Sequence, residues 1–220
     1  MKHLILISIM ALFLAGCSAV QAGSAIETQP HHHSDFREVS YLSASVGFFA
    51  TTLAGLEAWA DQIVRGRMLN DAIIVFQYNE ICDTYRTGHN RVSFEVLEVI
   101  RGDINIGETI MILEPYSIEN GVLFTHSNYM PSIPYQEYFF FLTDPIICDS
   151  LPEDHQGAFW VLHGERGRFL VPDIDIAGAG TLDFSAVVQN FSARDFGLGA
   201  NANRELYIRL WQEVMEAYLR

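Results

Sequence analysis

Lysine is nearly missing from this chain: Lys2 is the only one in 220 residues. Thirteen basic residues stand against 27 acidic ones, for a formal charge of −14. That balance argues against a nucleic-acid partner, because phosphate binding needs clustered Lys and Arg. Long apolar runs are missing too. The longest, Leu4 to Leu14, has 11 residues broken only by Ser8, too short for a helix to cross a hydrocarbon layer of ~30 Å. There is no Gly-x-Ser-x-Gly elbow, no His-Glu-x-x-His, no P-loop and no Gly-x-Gly-x-x-Gly, so none of the familiar local signatures of hydrolase, zinc protease or nucleotide site is present. What remains is 50% hydrophobic and 18% charged, which supplies a core and excludes wholesale disorder. The length suits one domain with extensions, or two very small ones.

The N-terminus carries an address. Met1-Lys2-His3 is a short positive start, the apolar run follows, and Leu14-Ala15-Gly16-Cys17 closes it. A run of that length suits the h-region of a signal peptide covering residues 1–16. Leu-Ala-Gly-Cys resembles a bacterial lipobox, which implies that the Cys17 thiol is lipid-modified and becomes the anchored N-terminus. The lipid bilayer is then a partner, and the location is extracytoplasmic; Ser18 after the cysteine points to an outer membrane if the host is Gram-negative. The alternative is cleavage after Ala22, behind Val20-Gln21-Ala22, which would release a secreted or periplasmic chain.

Residues 17–40 read as a flexible, lipid-anchored linker without periodicity. His31-His32-His33 within it is taken as a solvated polar stretch rather than a metal site. A short helix is expected next, from Leu53, Leu56, Trp59 or Ala60, and Ile63, capped by Thr51 or Thr52. Strands follow at Gln62 to Met68 and Ala72 to Tyr78; Asn79 to Asn90 looks polar and turn-rich. Arg91 to Ile100 alternates with a one-residue slip at Val96-Leu97, as at a bulge. Thr109 to Leu113 is ended by Pro115, and Glu137 to Leu142 centres on Phe139-Phe140-Phe141, a run suited to a strand covered on both faces. Ala158 to Leu162 and Arg168 to Val171 flank Gly164 to Gly167 as a last hairpin.

From Arg204 the stripe Tyr207, Leu210, Trp211, Val214 and Tyr218 predicts an amphipathic helix packed on the barrel, with Glu205/Arg209 and Glu216/Arg220 in favourable i, i+4 order. The expected fold is mainly β: a small OB-like antiparallel barrel of five to seven strands within residues 41–171, with one helix before it. Residues 172–220 form an acidic Gly/Ala/Asn-rich segment and the C-terminal helix.

The order of elements then resembles a family. Ala60-Asp61-Gln62-Ile63-Val64-Arg65-Gly66 is similar to the opening of a bacterial extracytoplasmic domain related to the OB-like barrel of tissue metalloproteinase inhibitors and netrin modules. Phe94 to Asp103 with Ile106 to Ile110 is similar to its middle, Tyr138 to Leu142 to a later strand, and Gly167 to Val171 to its closing strand. The resemblance spans about residues 53 to 171. It implies a netrin-like fold and no particular activity. The inhibitors chelate zinc through an N-terminal cysteine, and here Cys17 would be acylated and far from the barrel, so that activity is not carried over.

Candidate chemistry is sparse. His89, His126, His155 and His163 each fall in or beside an expected loop. Asp173, Asp175 and Asp183 lack the glutamate an EF-hand needs. Cys82 and Cys148 form an even pair in an oxidising compartment, which favours a disulfide worth ~4 kcal/mol in the chain-entropy model over two buried thiols. Tyr116, Phe124, Tyr129 and Tyr135 lie in the long connection before the triple-Phe strand and mark a candidate ligand patch at the barrel rim, with core packing as the alternative. No catalytic set, metal site or cofactor is assigned. The leading reading is an anchored lipoprotein whose barrel binds an unknown protein or small ligand. An enzyme built on the loop histidines and acids is the second reading, and a structural envelope component the third.

Overall fold

The computed structural model describes residues 37–42, 50–79, 84–126, 128–145, 156–172, 199 and 203–219. The elements are β1 (Glu38–Leu42), α1 (Leu53–Trp59), β2 (Gln62–Met68), β3 (Ile73–Asn79), β4 (Thr84–Arg101), β5 (Thr109–Glu114), β6 (Tyr116–Glu119), β7 (Val122–His126), β8 (Glu137–Thr143), β9 (Phe159–Val161), β10 (Arg168–Leu170) and α2 (Arg204–Tyr218). Among the described residues, no helix is long and apolar enough to cross a membrane.

Strands β8, β2, β4, β5 and β9 close on one another. Neighbours in that ring run antiparallel, except for the parallel β5–β9 pair, and β9 returns to β8. This is a closed five-stranded barrel in the strand order of an OB-like fold. Curvature comes from irregular pairing of β2 with β4. Arg65 faces Glu98 while Gly66 faces Val96, so Leu97 is the extra residue of a bulge, at the slip the sequence pattern showed. Glycine at 66 has a steric cause: a Cβ there would lie 2.0 Å from the Glu95 carbonyl oxygen and 2.7 Å from the Phe94 ring.

Side-chain parity then makes two cores. Val64, Phe94, Val96, Ile110, Ile112, Phe140 and Leu170 fill the barrel. The alternate residues Ile63, Phe139, Phe141, Phe169 and Val171 face outward, yet are buried beneath Leu56 of α1 and Tyr207, Leu210, Trp211 and Val214 of α2. Both faces of β8 are thus covered, as the Phe triple requires.

The helix α2 is bonded to the barrel as well as packed on it. Tyr207 Oη donates to the Arg168 carbonyl (2.8 Å) and Trp211 Nε1 to that of Leu170 (2.7 Å). Both carbonyls belong to β10, whose strand partner among the described residues is β8, so α2 satisfies a sheet edge with side chains. Glu213 in turn accepts from Leu53 N–H at the start of α1 (2.9 Å), and Thr52 caps that helix through Gly55 N–H (3.1 Å). Arg209 donates to the Thr51 carbonyl (3.1 Å).

Four expectations change. The stretch read as turn-rich is strand from Thr84 onward, because β4 runs past the barrel to pair with β3 from Asn79↔Thr84 to Ile73↔Arg91. Its polar residues gain cross-strand backbone bonds, which local hydropathy does not report. Ile63, taken with the first helix, belongs to β2. Strands β9 and β10 do not pair as a hairpin; both lie along β8, separated by a 3₁₀ turn at Gly164–Gly167. The connection before β8 holds its own hairpin, β6–β7, and β1 joins β7 in parallel, so Glu38 to Ser40 at the end of the expected linker are strand.

Candidate functional site

Parity along β5 and β10 puts two charged side chains inside the barrel. Glu114 follows Ile110 and Ile112 on the inward face, and Arg168 precedes Leu170 on its own. Each is 1% exposed, and Arg168 Nη1 lies 3.3 Å from Glu114 Oε1. Arg168 Nη1 also donates to the Met130 carbonyl and to Ser132 Oγ, both at 2.7 Å. Glu114 Oε1 accepts from Tyr129 Oη (2.6 Å), Ser132 N–H (3.3 Å) and Ser132 Oγ. The guanidinium sits over the Tyr129 ring at 4.1 Å and the Tyr138 ring at 5.4 Å. Burial alone would lower the Arg168 pKa, but Tyr129, Tyr138 and Glu114 together hold it above its ordinary value. The group is a fixed cation.

This pair organises the candidate aromatic patch. Tyr129 is fully buried and Tyr116 is 5% exposed; their rings stack at 6.4 Å. Tyr116 Oη accepts from Asn90 Nδ2 (2.7 Å), itself buried. Burial first, with Glu114 adding to it, pushes the Tyr116 hydroxyl well above its usual pKa; burial does the same to Tyr129 against the pull of Arg168. Both are therefore interior residues sealing the barrel end, in a core with Ile74, Ile118, Leu123 and Met130. Phe124 is half-buried on β7. Tyr135 is 64% exposed with φ of 65°. The four do not form one surface.

The histidines separate likewise. His89 on β4 and His126 at the end of β7 come together, with ring centroids 6.2 Å apart and planes 13° from parallel. Trp160 meets His89 in a T-shaped contact at 4.4 Å. Burial lowers the His126 pKa. His163 lies elsewhere, with φ of 53° at the start of the 3₁₀ turn; burial and then Arg166 lower its pKa. Glu165 in that turn is 6% exposed, and burial raises its pKa to about 7. His155, Asp173, Asp175, Asp183, Cys17, Cys82 and Cys148 lie outside the described residues, as does the run His31–His33.

No protein-family model, curated protein or solved structure matches the chain. Its function therefore rests on its own residues.

Chemically, the interior network is closed. Glu114 Oε1 faces the Arg168 guanidinium and three donors, from Tyr129 and Ser132, so its contacts tie β5 to β10 and to the loop before β8. Among the described residues, no group of three or more His, Cys, Asp and Glu side chains converges on one point. Sequence reasoning passed over Glu114, Arg168 and Glu165, although strand parity was a usable signal for the first two.

Proposed function

We propose that this chain is an extracytoplasmic lipoprotein, anchored through acylated Cys17, that holds out a small OB-like barrel as a binding module of the metalloproteinase-inhibitor and netrin type. The observation that carries the reading is Leu14-Ala15-Gly16-Cys17 directly behind an apolar run of 11 residues. Two further features support it. The chain from Ser18 to Asp35 is polar, and the first described strand begins at Glu38, so a span of about 20 residues separates the lipid from the fold; extended, it reaches roughly 65 Å. The buried charged residues of the barrel serve its interior, which leaves loops and outer faces for recognition. With Tyr116 and Tyr129 turned inward, Tyr135 and Phe124 are the members of the aromatic set that remain at or near the surface.

Mass spectrometry of the membrane fraction tests the anchor. The wild-type chain should begin at a diacylated or triacylated Cys17, and Cys17→Ala should leave the membrane or retain its leader. A mature chain starting at Gly23 in both would replace this reading with plain secretion. Cross-linking from the surface of the wild-type protein tests the binding role, where a reproducible specific partner is expected.

A further inference from the structure

We propose that the turn from His163 to Gly167 is a proton-operated latch, closed while Glu165 is a neutral carboxylic acid and opened when that carboxyl ionises. The turn joins two strands with different duties. Before it, β9 closes the ring against β5; after it, β10 offers the carbonyls to which α2 is bonded.

The closed form is tightly wound. His163 and Gly164 follow one another at φ of 53° and 61°, a conformation that a non-glycine residue such as His163 keeps only while its surroundings hold it. A Cβ on Gly167 would lie 2.0 Å from the Leu162 carbonyl oxygen, so the turn folds onto its own start. Two bonds fasten it: Leu162 N–H donates to the Phe141 carbonyl (2.9 Å), and Arg166 Nη1 donates to that of Ala50 (3.4 Å), ahead of α1.

This winding carries Glu165 inward. It is buried, and among the described residues its Oε2 meets no hydrogen-bond donor. An ionised carboxylate in that position loses its hydration without replacement, whereas a protonated one loses far less. The charged groups around it do not reverse this. Arg166 Nε stands 3.7 Å from Oε1, too far for a hydrogen bond. From β10, Arg168 directs Nη1 to Glu114, Met130 and Ser132. From α2 the neighbour is Tyr207, whose hydroxyl donates to the Arg168 carbonyl. His163 supplies no counter-charge, since burial and then Arg166 keep it neutral at pH 7 and above. Burial therefore outweighs both arginines and raises the Glu165 pKa to about 7. Above that pH the carboxylate regains water by unwinding the turn, which lets go of Ala50 while the rest of the barrel stays paired.

Hydrogen-exchange mass spectrometry of the full chain between pH 5 and pH 8 tests the latch, reading residues 162–167 and correcting for the base-catalysed intrinsic rate. With the carboxyl at an ordinary 4.5 when open and about 7 when closed, linkage makes the turn's open-to-closed ratio rise about 70-fold over that range. At every pH the ratio should exceed the one read from β2 and β4 by at least tenfold, since those strands open only with the whole fold. In Glu165→Gln, a neutral side chain of the same shape, the rise should vanish. Three results each overturn the proposal: a rise below tenfold in the wild type, turn amides less than tenfold more open than those of β2 and β4, or a tenfold or greater rise remaining in Glu165→Gln. The first two readings need no substitution, so a glutamine variant that failed to fold would still leave the outcome decided.

Discussion

Changing Arg168 to Met removes one charge from a barrel interior where it and Glu114 are each 1% exposed. The methionine roughly replaces the aliphatic stem but leaves a carboxylate in an apolar box, still facing Tyr129 Oη and Ser132. Removing one partner of a buried pair costs about 3–5 kcal/mol, because the remaining charge has lost its counter-ion without regaining water. Against a domain stability of roughly 5–15 kcal/mol, that is about a fifth of the total or more. In urea, with a slope near 2 kcal/mol/M, the midpoint should fall by about 2 M. The assay is equilibrium unfolding followed by tryptophan emission, run also on Glu114→Met and on the double variant. If the two groups act on each other as the 3.3 Å contact implies, the double variant loses less than the two singles added, by at least about 1 kcal/mol. A midpoint shift below about 0.5 M for Arg168→Met, or strict additivity, would refute the view that this pair organises the barrel end.

Glu165 should make stability depend on pH in the direction opposite to most carboxylates. Its pKa rises from an ordinary 4.5 to about 7 in the fold, so between those values the folded state holds more protons than the unfolded one. Stability is then full below pH ~4.5 and declines as pH rises through 7, by at most about 3 kcal/mol; Glu165→Gln should flatten that slope in urea titrations at pH 5, 6, 7 and 8, and an unchanged slope would reject the assignment. Gly66→Ala should cost about 3 kcal/mol through the clash with Glu95 O and the Phe94 ring, seen as a lower thermal midpoint by circular dichroism. Tyr207→Phe strips one bond from the β10 edge and should cost about 1–3 kcal/mol, with little change if α2 is held by apolar contacts alone.

Much of the barrel was legible because its signals are local. Glu137 to Leu142 had to be covered on both faces, since three consecutive phenylalanines leave no polar side, and α2 shows its buried stripe at helical spacing. The slip at Val96-Leu97 announced a bulge before any partner strand was known. Strands β1 and β6, and the first half of β4, were illegible for the converse reason: Glu38 to Leu42 and Thr84 to Asn90 carry too little apolar periodicity, and only backbone pairing with β7 and β3 makes them strand. The candidate site divided the same way. Aromatic residues in the long connection were visible, but which of them turn inward depends on where Arg168 lies, 39 residues beyond Tyr129.

The sequence by itself determined the alternation of faces within each strand, the one-residue irregularity that bends β4, and the amphipathic stripe of the last helix, since each is set by neighbours a few positions apart. Tertiary structure alone decided that β5 and β9 close the ring in parallel, that Glu114 and Arg168 share one interior, and that His89 stands beside His126. Those meetings join residues tens of positions apart. Which strand lies against which follows from burying two faces of one sheet at once, and no window of local periodicity contains that condition.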